Sequence, residues 1–422
     1  MPAGKNCQAR PLSCGATPRQ LSRTRFLSGP TLAVCMLMTT DMKSRTTRLS
    51  SQQRPGVALH YWGRRGGGSQ FTLFLARHLT GAANPPEVLL SLARTNDDMG
   101  AFQASGLPII QFDRPTLSTL WREAWSLPAQ LRTHAATLAS LNVGVVIMTM
   151  NSPFAWPFIH ALQRRGIRVI YVAHDAEPHP GDYAITWQRT TQDLLVRNAD
   201  RVVALSSSVA ERMAERVPAS AVKTSVIPLE VVFPTHRTLL PARTSADEPF
   251  RLLFYGRLLP YKGLDTLAAV LEPLRANPLW RLTIAGSGPL EPDVRRIFDA
   301  WPQVHLELGW VSEQRMAELF SSHHLLLCPY MEASQSGAVA QALSWAMPSL
   351  VMPTGALPGQ VGFGIGGLVA ATMDPGGFRQ ILQSVMEHPG RLEELSRGAN
   401  ALLTERQGNQ DWMKLVEAAA LA

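Results

Sequence analysis

The sequence predicts an α/β protein of two doubly wound, Rossmann-like domains facing each other across a cleft. Three observations carry this. Short apolar runs of buried-strand type alternate with longer helical patterns, the signature of a parallel sheet covered on both faces. The alternation stops over an aperiodic stretch at 235–249 (THRTLLPARTSADEP) and restarts at Phe250. The chain has 422 residues, enough for two domains of ordinary size, and its 45% hydrophobic content suits a folded body.

Residues 1–54 read as a disordered basic extension, or as a start codon assigned too early, with Met42 nearer the true beginning. They hold nine Lys or Arg against one acid, Asp41, leaving 31 basic and 31 acidic residues from the totals of 40 and 32. The remainder is therefore neutral, and the formal charge of +8 is no argument for nucleic acid. Four cysteines, at 7, 14, 35 and 328, form no CxxC and have no histidine at zinc spacing. Neither a disulfide framework nor a metal site is expected, and a reducing cytoplasm fits. No apolar run reaches the roughly 18 residues a membrane span needs.

The first domain is expected over 55–234. VALHYWG reads as strand one, and Gly66, Gly67 and Gly68 lie between it and the helical pattern FTLFLARHLTG, with Ser69 as the expected N-cap. Three glycines at a strand-to-helix turn mark a place where a ligand or backbone comes close. The pattern is not GxGxxG, and no acid closes a second strand at dinucleotide spacing, which argues against a nicotinamide site. EVLLSLA, LPIIQF, VGVVIMTM, RVIYVAH and DRVVAL supply further strands. One strand exit is chemically loaded: HDAEPHPGDY brings His174, Asp175, Glu177, His179 and Asp182 together, with two prolines that rule out a helical metal pair. His174 is expected to end its strand and face the cleft, where it can bond a sugar hydroxyl. Trp121, Trp125, Trp156 and Trp187 are read as core or interface.

Residues 235–249 are the expected linker, 250–400 the second domain, and 401–422 a terminal helix crossing back to the first. The organising stretch is CPYMEASQSGAVAQALSWAMP, at 328–348. An apolar strand empties into a loop holding Glu332, Gln335, Ser336 and Gly337, then a helix begins. Free N–H groups and the helix dipole make that N-terminus an anion seat. Upstream, YGRLLPYKGLD places Arg257 and Lys262 beside another helix start, where two cations would neutralise a diphosphate. AGSGPL adds Gly286 and Gly288, and Ser312 is expected to cap the helix after GWV. Four successive turns thus put small or polar residues on one sheet edge, a pattern that suits a sugar diphosphate.

The segments GGGSQF (66–71), VAHDAEPHPGD (172–182), ADRVVALSSSVAERM (199–213), YGRLLPYKGLD (255–265), AGSGPL (285–290), GWVSEQRMAELF (309–320) and the 328–348 block closely resemble the family-4 retaining glycosyltransferases, which have the GT-B fold. The resemblance spans roughly 57–400. It implies a retaining hexosyltransferase that moves a sugar from a nucleoside-diphosphate donor to a glycan or polyprenyl-linked acceptor, in exopolysaccharide or glycoconjugate synthesis. It also implies that no metal or other cofactor is needed. By the same likeness Arg257 and Lys262 hold the diphosphate, and Glu332 and His174 attend the sugar. Ser336 and Gly337 offer amides, and the loop Gly66 to Gly68 closes over the donor. The expected location is the cytoplasm, with peripheral contact at the inner membrane face as a further expectation and no nucleic-acid partner.

Two departures from the family pattern stand out. A second glutamate normally follows the first by eight residues; that count falls on Ala340, and alignment on Pro348 places Gln341 there. The usual LPE turn is LPGQ, at 357–360, without an acid. A GT-B nucleotide-sugar epimerase and a non-catalytic partner of a polysaccharide synthase are the competing readings.

Overall fold

The computed structural model describes residues 55–115, 119–152, 154–177, 185–229, 248–408 and 411–421. The extension expected at 1–54 and most of the linker expected at 235–249 therefore lie outside the described residues, as do His179 and Asp182.

The first half runs β1 (Gly56–Tyr61), α1 (Gly67–Thr80), β2 (Val88–Ala93), α2 (Met99–Ala104), β3 (Ile109–Phe112), α3 (Leu120–Glu123) and α4 (Leu127–Ser140). It continues with β4 (Val143–Met148), α5 (Ala155–Gln163), β5 (Arg168–Ala173), α6 (Ile185–Asn198), β6 (Arg201–Ala204), α7 (Ser207–Arg216) and β7 (Thr224–Val226). The second half runs β8 (Phe250–Tyr255), α8 (Leu264–Leu271), β9 (Trp280–Gly286), α9 (Glu291–Phe298), β10 (Val304–Leu308), α10 (Glu313–Ser322) and β11 (Leu325–Cys328). Then come α11 (Gly337–Ser344), β12 (Ser349–Val351), α12 (Leu357–Gln360), β13 (Gly367–Val369), α13 (Pro375–Glu387), α14 (Gly390–Gly408) and α15 (Trp412–Leu421).

Two Rossmann-like parallel sheets result, ordered β3-β2-β1-β4-β5-β6-β7 and β10-β9-β8-β11-β12-β13. Central strands are buried on both faces, which is why they read as continuous apolar runs. Leu59 sits opposite Leu90 on one side and Ile147 on the other; Leu252 does the same with Leu282 and Leu325. Strand order reverses beside β1 and beside β8, and such switch points open a crevice at the strands' carboxyl ends. Each half therefore presents its crevice at that edge.

Caps set where several helices start. Ser206, Ser312 and Ser336 each accept the backbone N–H three residues on, and Asp374 accepts those of Gly376 and Gly377. The expected cap at Ser69 is corrected: α1 starts two residues earlier, and Ser69 is buried in its first turn. Gly66 occupies the cap position with φ 101°, a conformation that a residue with Cβ avoids, so the helix can begin at once.

The four tryptophans expected in the core or at an interface are not in the core. Trp121 and Trp125 are 81% and 84% exposed, Trp187 48% and Trp156 37%. They sit at or before helix N-terminal turns, off the apolar stripe that meets the sheet. The C-terminal segment divides between the halves. Ala399 and Leu402 of α14 pack on Leu343 of α11. By contrast α15 sends Trp412, Leu415, Val416 and Ala419 into the core shared by Val57, Leu59, Phe71 and Ile170.

Candidate functional site

A cavity of about 660 Å³ opens where the carboxyl edges of the two sheets meet, lined from both halves. Its wall includes Gly66, Gly67, Gly68 and His174 from the first domain, and Arg257, Lys262, Gly286, Gly288, Gln335, Gly337 and Gln341 from the second. Residues up to 275 positions apart in sequence thus converge on one space.

The second domain builds its side from tight turns. Gly286 has φ 146°, and a Cβ there would lie 1.8 Å from the Gly256 carbonyl oxygen, so the β8 and β9 exits can approach only without a side chain. Leading into α8, the turn 260–262 presents Lys262. This lysine is almost wholly buried, with Nζ 3.7 Å from the centre of the Tyr330 ring and 5.2 Å from that of Tyr261. Burial pulls its ammonium down to about 8, and Arg257 nearby adds to the fall, while Asp175 opposes it. Burial also pushes the Cys328 thiol up to about 11, so at neutral pH it is uncharged. Cation–π contact stabilises the lysine, but a buried ammonium still favours an anion beside it.

Across the cavity, His174 closes β5. Its Nε2 donates to the Thr149 carbonyl at 2.8 Å, which leaves Nδ1 as the ring's acceptor, and burial lowers its pKa so that the ring is neutral. The His174 carbonyl accepts Gln335 Nε2 at 2.8 Å from the opposite domain. Gln341 Nε2 likewise donates to Gln70 Oε1 at 2.7 Å, and Arg65 lays its guanidinium 4.5 Å over the Trp310 ring. The second domain's loops are therefore tied to the first domain at these three places, and Ser206 Oγ adds a fourth by donating to the Ser334 carbonyl at 3.2 Å.

Two polar atoms on the cavity's lining residues are buried without a hydrogen-bond partner: Gln335 Oε1 and Gln341 Oε1. Buried polar groups are normally paired, so these two glutamine oxygens on the second domain's wall mark a place for a hydroxyl-bearing ligand. Gly337, at the first position of α11, has open space where a Cβ would stand.

Two expected site residues are placed otherwise. The Ser336 amide donates to Gln360 Oε1 at 2.7 Å, and its hydroxyl caps α11 by accepting the Val339 N–H. Its carbonyl accepts Gln360 Nε2 at 3.3 Å, so both backbone groups are engaged and the residue does not line the cavity. Ser336 is a positioning residue for Gly337. Glu332 is half-buried in the same loop, and it too is outside the cavity wall.

Gln360 thus makes two hydrogen bonds to the backbone of Ser336. An amide can accept the Ser336 N–H and donate to its carbonyl at once, whereas a carboxylate only accepts.

Sequence reasoning missed Arg65, Gln70, Asp98, Met150, Tyr255, Tyr261, Trp310 and Glu313, all of which line the cavity. Trp310 had a signal, following the glycine that ends β10 as its neighbours follow theirs. Asp98 and Met150 had none, because loops after different strands meet only in three dimensions. Among the described residues no three His, Cys, Asp or Glu side chains gather to hold a metal ion.

Known proteins resemble this arrangement. Residues 249–388 match the family model described as Glycosyl transferases group 1, and residues 66–230 match the Glycosyl transferase 4-like domain. A GDP-mannose:glycolipid 4-beta-D-mannosyltransferase of Xanthomonas campestris pv. campestris is 32% identical over 110 residues, 25% of this chain and 31% of that protein. The D-inositol 3-phosphate glycosyltransferase 1 of Catenulispora acidiphila is 27% identical over 226 residues, 49% of this chain and 52% of its own length. The chain thus spans between about a third and about half of the length of these relatives. The crystal structure of Anabaena HepE in complex with UDP and glucose superposes with a TM-score of 0.66 at 15% identity, covering 87% of this chain and 98% of that one. Two matched domains, two Rossmann-like sheets and the cavity between them lead to one statement: the chain has the two-domain GT-B fold, and each half matches a glycosyltransferase domain model.

Proposed function

We propose that this chain moves a hexose from a nucleoside-diphosphate sugar to a glycan or polyprenyl-linked acceptor, with the anomeric configuration retained, on the cytoplasmic side of a membrane. One observation carries the reading: buried Lys262 and its neighbour Arg257 share a cavity with neutral His174 and with unpaired glutamine oxygens. Arg257 and Lys262 hold the diphosphate, joined by the Gly337 amide at the start of α11. Gln335 and Gln341 accept hydroxyls of the sugar or ribose, and His174 Nδ1 accepts another. The bond between the anomeric carbon and the phosphate oxygen breaks while the acceptor oxygen bonds to that carbon. The acceptor's proton passes to the leaving phosphate, so no protein nucleophile is needed and catalysis is by placement and charge stabilisation. For Glu332 the support is the resemblance alone.

A panel of nucleoside diphosphates in thermal shift tests this, because a ligand of the native state raises the melting temperature by mass action. The donor's nucleotide should stabilise the protein, and Lys262→Ala should abolish that shift. Turnover of the matching sugar nucleotide should fall in Lys262→Ala and, by a smaller factor, in Glu332→Ala. Equal turnover in wild type and Lys262→Ala would remove the assignment.

Inversion is a second reading, favoured by a specific observation. Asp98 and Asp175 also line the cavity from the first domain, where a carboxylate base could take the acceptor's proton directly. The anomeric configuration of the product, read by NMR, separates the two.

A further inference from the structure

Four tryptophans that the cavity does not use share one edge of the first domain. Trp121 and Trp125 lie in and just after α3, which leads into α4. Trp156 is in the first turn of α5, and Trp187 in the first turn of α6. These helices are neighbours: α4 packs on α5, and α5 on α6. Each follows a strand of a parallel sheet, so all three begin at the carboxyl edge, the edge on which the cavity opens. The indoles are 81%, 84%, 37% and 48% exposed in chain order, with Ile185 beside Trp187 at 41%. Exposed indoles collected on one edge mark a contact surface.

The surface is continuous with the cavity. Met150 lines the cavity and is itself partly exposed. Next to it, Asn151 Nδ2 donates to the Gln188 carbonyl at 3.4 Å and to Thr191 Oγ1 at 3.3 Å, joining the turn before α5 to the first turns of α6. The nearby arginines are paired: Arg122 with Glu123 at 3.6 Å and Arg189 with Glu177 at 3.4 Å. Among the described residues, an edge with these arginines paired and rich in tryptophan, rather than leucine or lysine, matches the headgroup layer of a bilayer, where indoles seat an apolar ring and a polar N–H together.

We propose that this edge docks on a lipid bilayer, with Trp121, Trp125, Trp156 and Trp187 at headgroup depth and the cavity mouth facing the surface. This deepens the lipid-linked reading of the acceptor and rests on it for the cargo, while docking itself needs neither donor nor acceptor.

The test uses the full chain with phosphatidylcholine vesicles in high salt, which screens exposed charge. Wild type should co-sediment, with a blue-shifted tryptophan emission quenched by brominated lipid. Trp121→Ser with Trp125→Ser should lower partitioning at least tenfold, and Trp156→Ser with Trp187→Ser should do likewise. Nucleotide-induced thermal stabilisation should be unchanged in the first pair, which shows that the fold and the cavity are intact. Equal partitioning of both double variants and wild type would overturn the proposal. So would binding that needs anionic lipid and is released by salt, since that assigns the contact to basic residues. A third overturning result is loss of self-association in the variants with vesicle binding unaltered, which makes the edge an interface between copies. Failure in vesicles with an intact nucleotide response removes the docking surface and leaves the transferase reading standing.

Discussion

Lys262 places its Nζ 3.7 Å from the centre of the Tyr330 ring, a cation held against an aromatic face in the cavity wall. Burial holds its pKa near 8, so the charge that would meet a diphosphate is only just retained at neutral pH. An anion bound beside it restores the ordinary affinity for a proton. Binding is then coupled to proton uptake above pH 8, and nucleoside-diphosphate affinity should fall as pH rises through about 8. Calorimetric titration between pH 7 and 9.5 measures this, and a flat profile would contradict it.

Replacing Lys262 by methionine removes a buried charge while keeping much of its volume. Thermal stability without ligand should be unchanged or raised, because a buried, partly compensated ion is costly. Nucleoside-diphosphate affinity should drop about 10- to 100-fold, the value of one charge-assisted hydrogen bond of roughly 1.5–3 kcal/mol. Melting curves and titrations on the same preparation separate the two effects.

Gln360 secures both backbone groups of Ser336. Gln360→Ala leaves the buried Ser336 N–H unpaired, while the Ser336 carbonyl keeps the Ala340 N–H, and it should cost about 1–3 kcal/mol in urea unfolding. Gln360→Glu keeps the acceptor but loses the donor and buries a charge, so it should not rescue. Both variants should weaken nucleotide binding, since Gly337 follows the residue they release.

The bond between Gln70 and Gln341 joins the domains across the cavity. A double-mutant cycle with alanine at each position should yield a coupling of about 0.5–1.5 kcal/mol in unfolding free energy. Gln341→Ala alone should also reduce donor affinity, whereas Gln70→Ala should affect it less.

Acid stability should be governed by a buried histidine pair in the first domain. Ser91 Oγ bridges His60 Nδ1 at 3.3 Å and His134 Nε2 at 2.9 Å beneath Trp62. Burial lowers both pKa values, that of His134 to about 4. The unfolded chain therefore binds more protons below pH 6.5, and stability is lost as pH falls from about 6.5 toward 4. His134 alone should account for about 3 kcal/mol over that window. Denaturant titrations at pH 7, 5.5 and 4.5 check the slope, which His134→Gln should flatten.

How much of this was legible without coordinates follows from the range of each interaction. Alternating apolar runs named nearly every strand, because a parallel strand buried on both faces must be apolar along its length. The serine cap at 312 was readable because a cap bonds within three residues. Arg257, Lys262, Gly286 and Gly337 could be placed on one sheet edge because strand exits of a parallel sheet share that edge by topology. Periodicity left the four tryptophans between core and interface, since it cannot tell an indole at a helix's start from one facing the sheet.

The chain's order of residues thus determined two Rossmann-like units, their strands and the turn residues able to meet an anion, all set by local pattern and chain connectivity. Only the folded molecule decided that Ser336 gives its amide to Gln360, that Lys262 is buried against Tyr330, and that Gln341 reaches Gln70. Those outcomes join positions between 24 and 271 residues apart. No local periodicity encodes such pairings; they follow from how the carboxyl edges of the two sheets meet around one cavity.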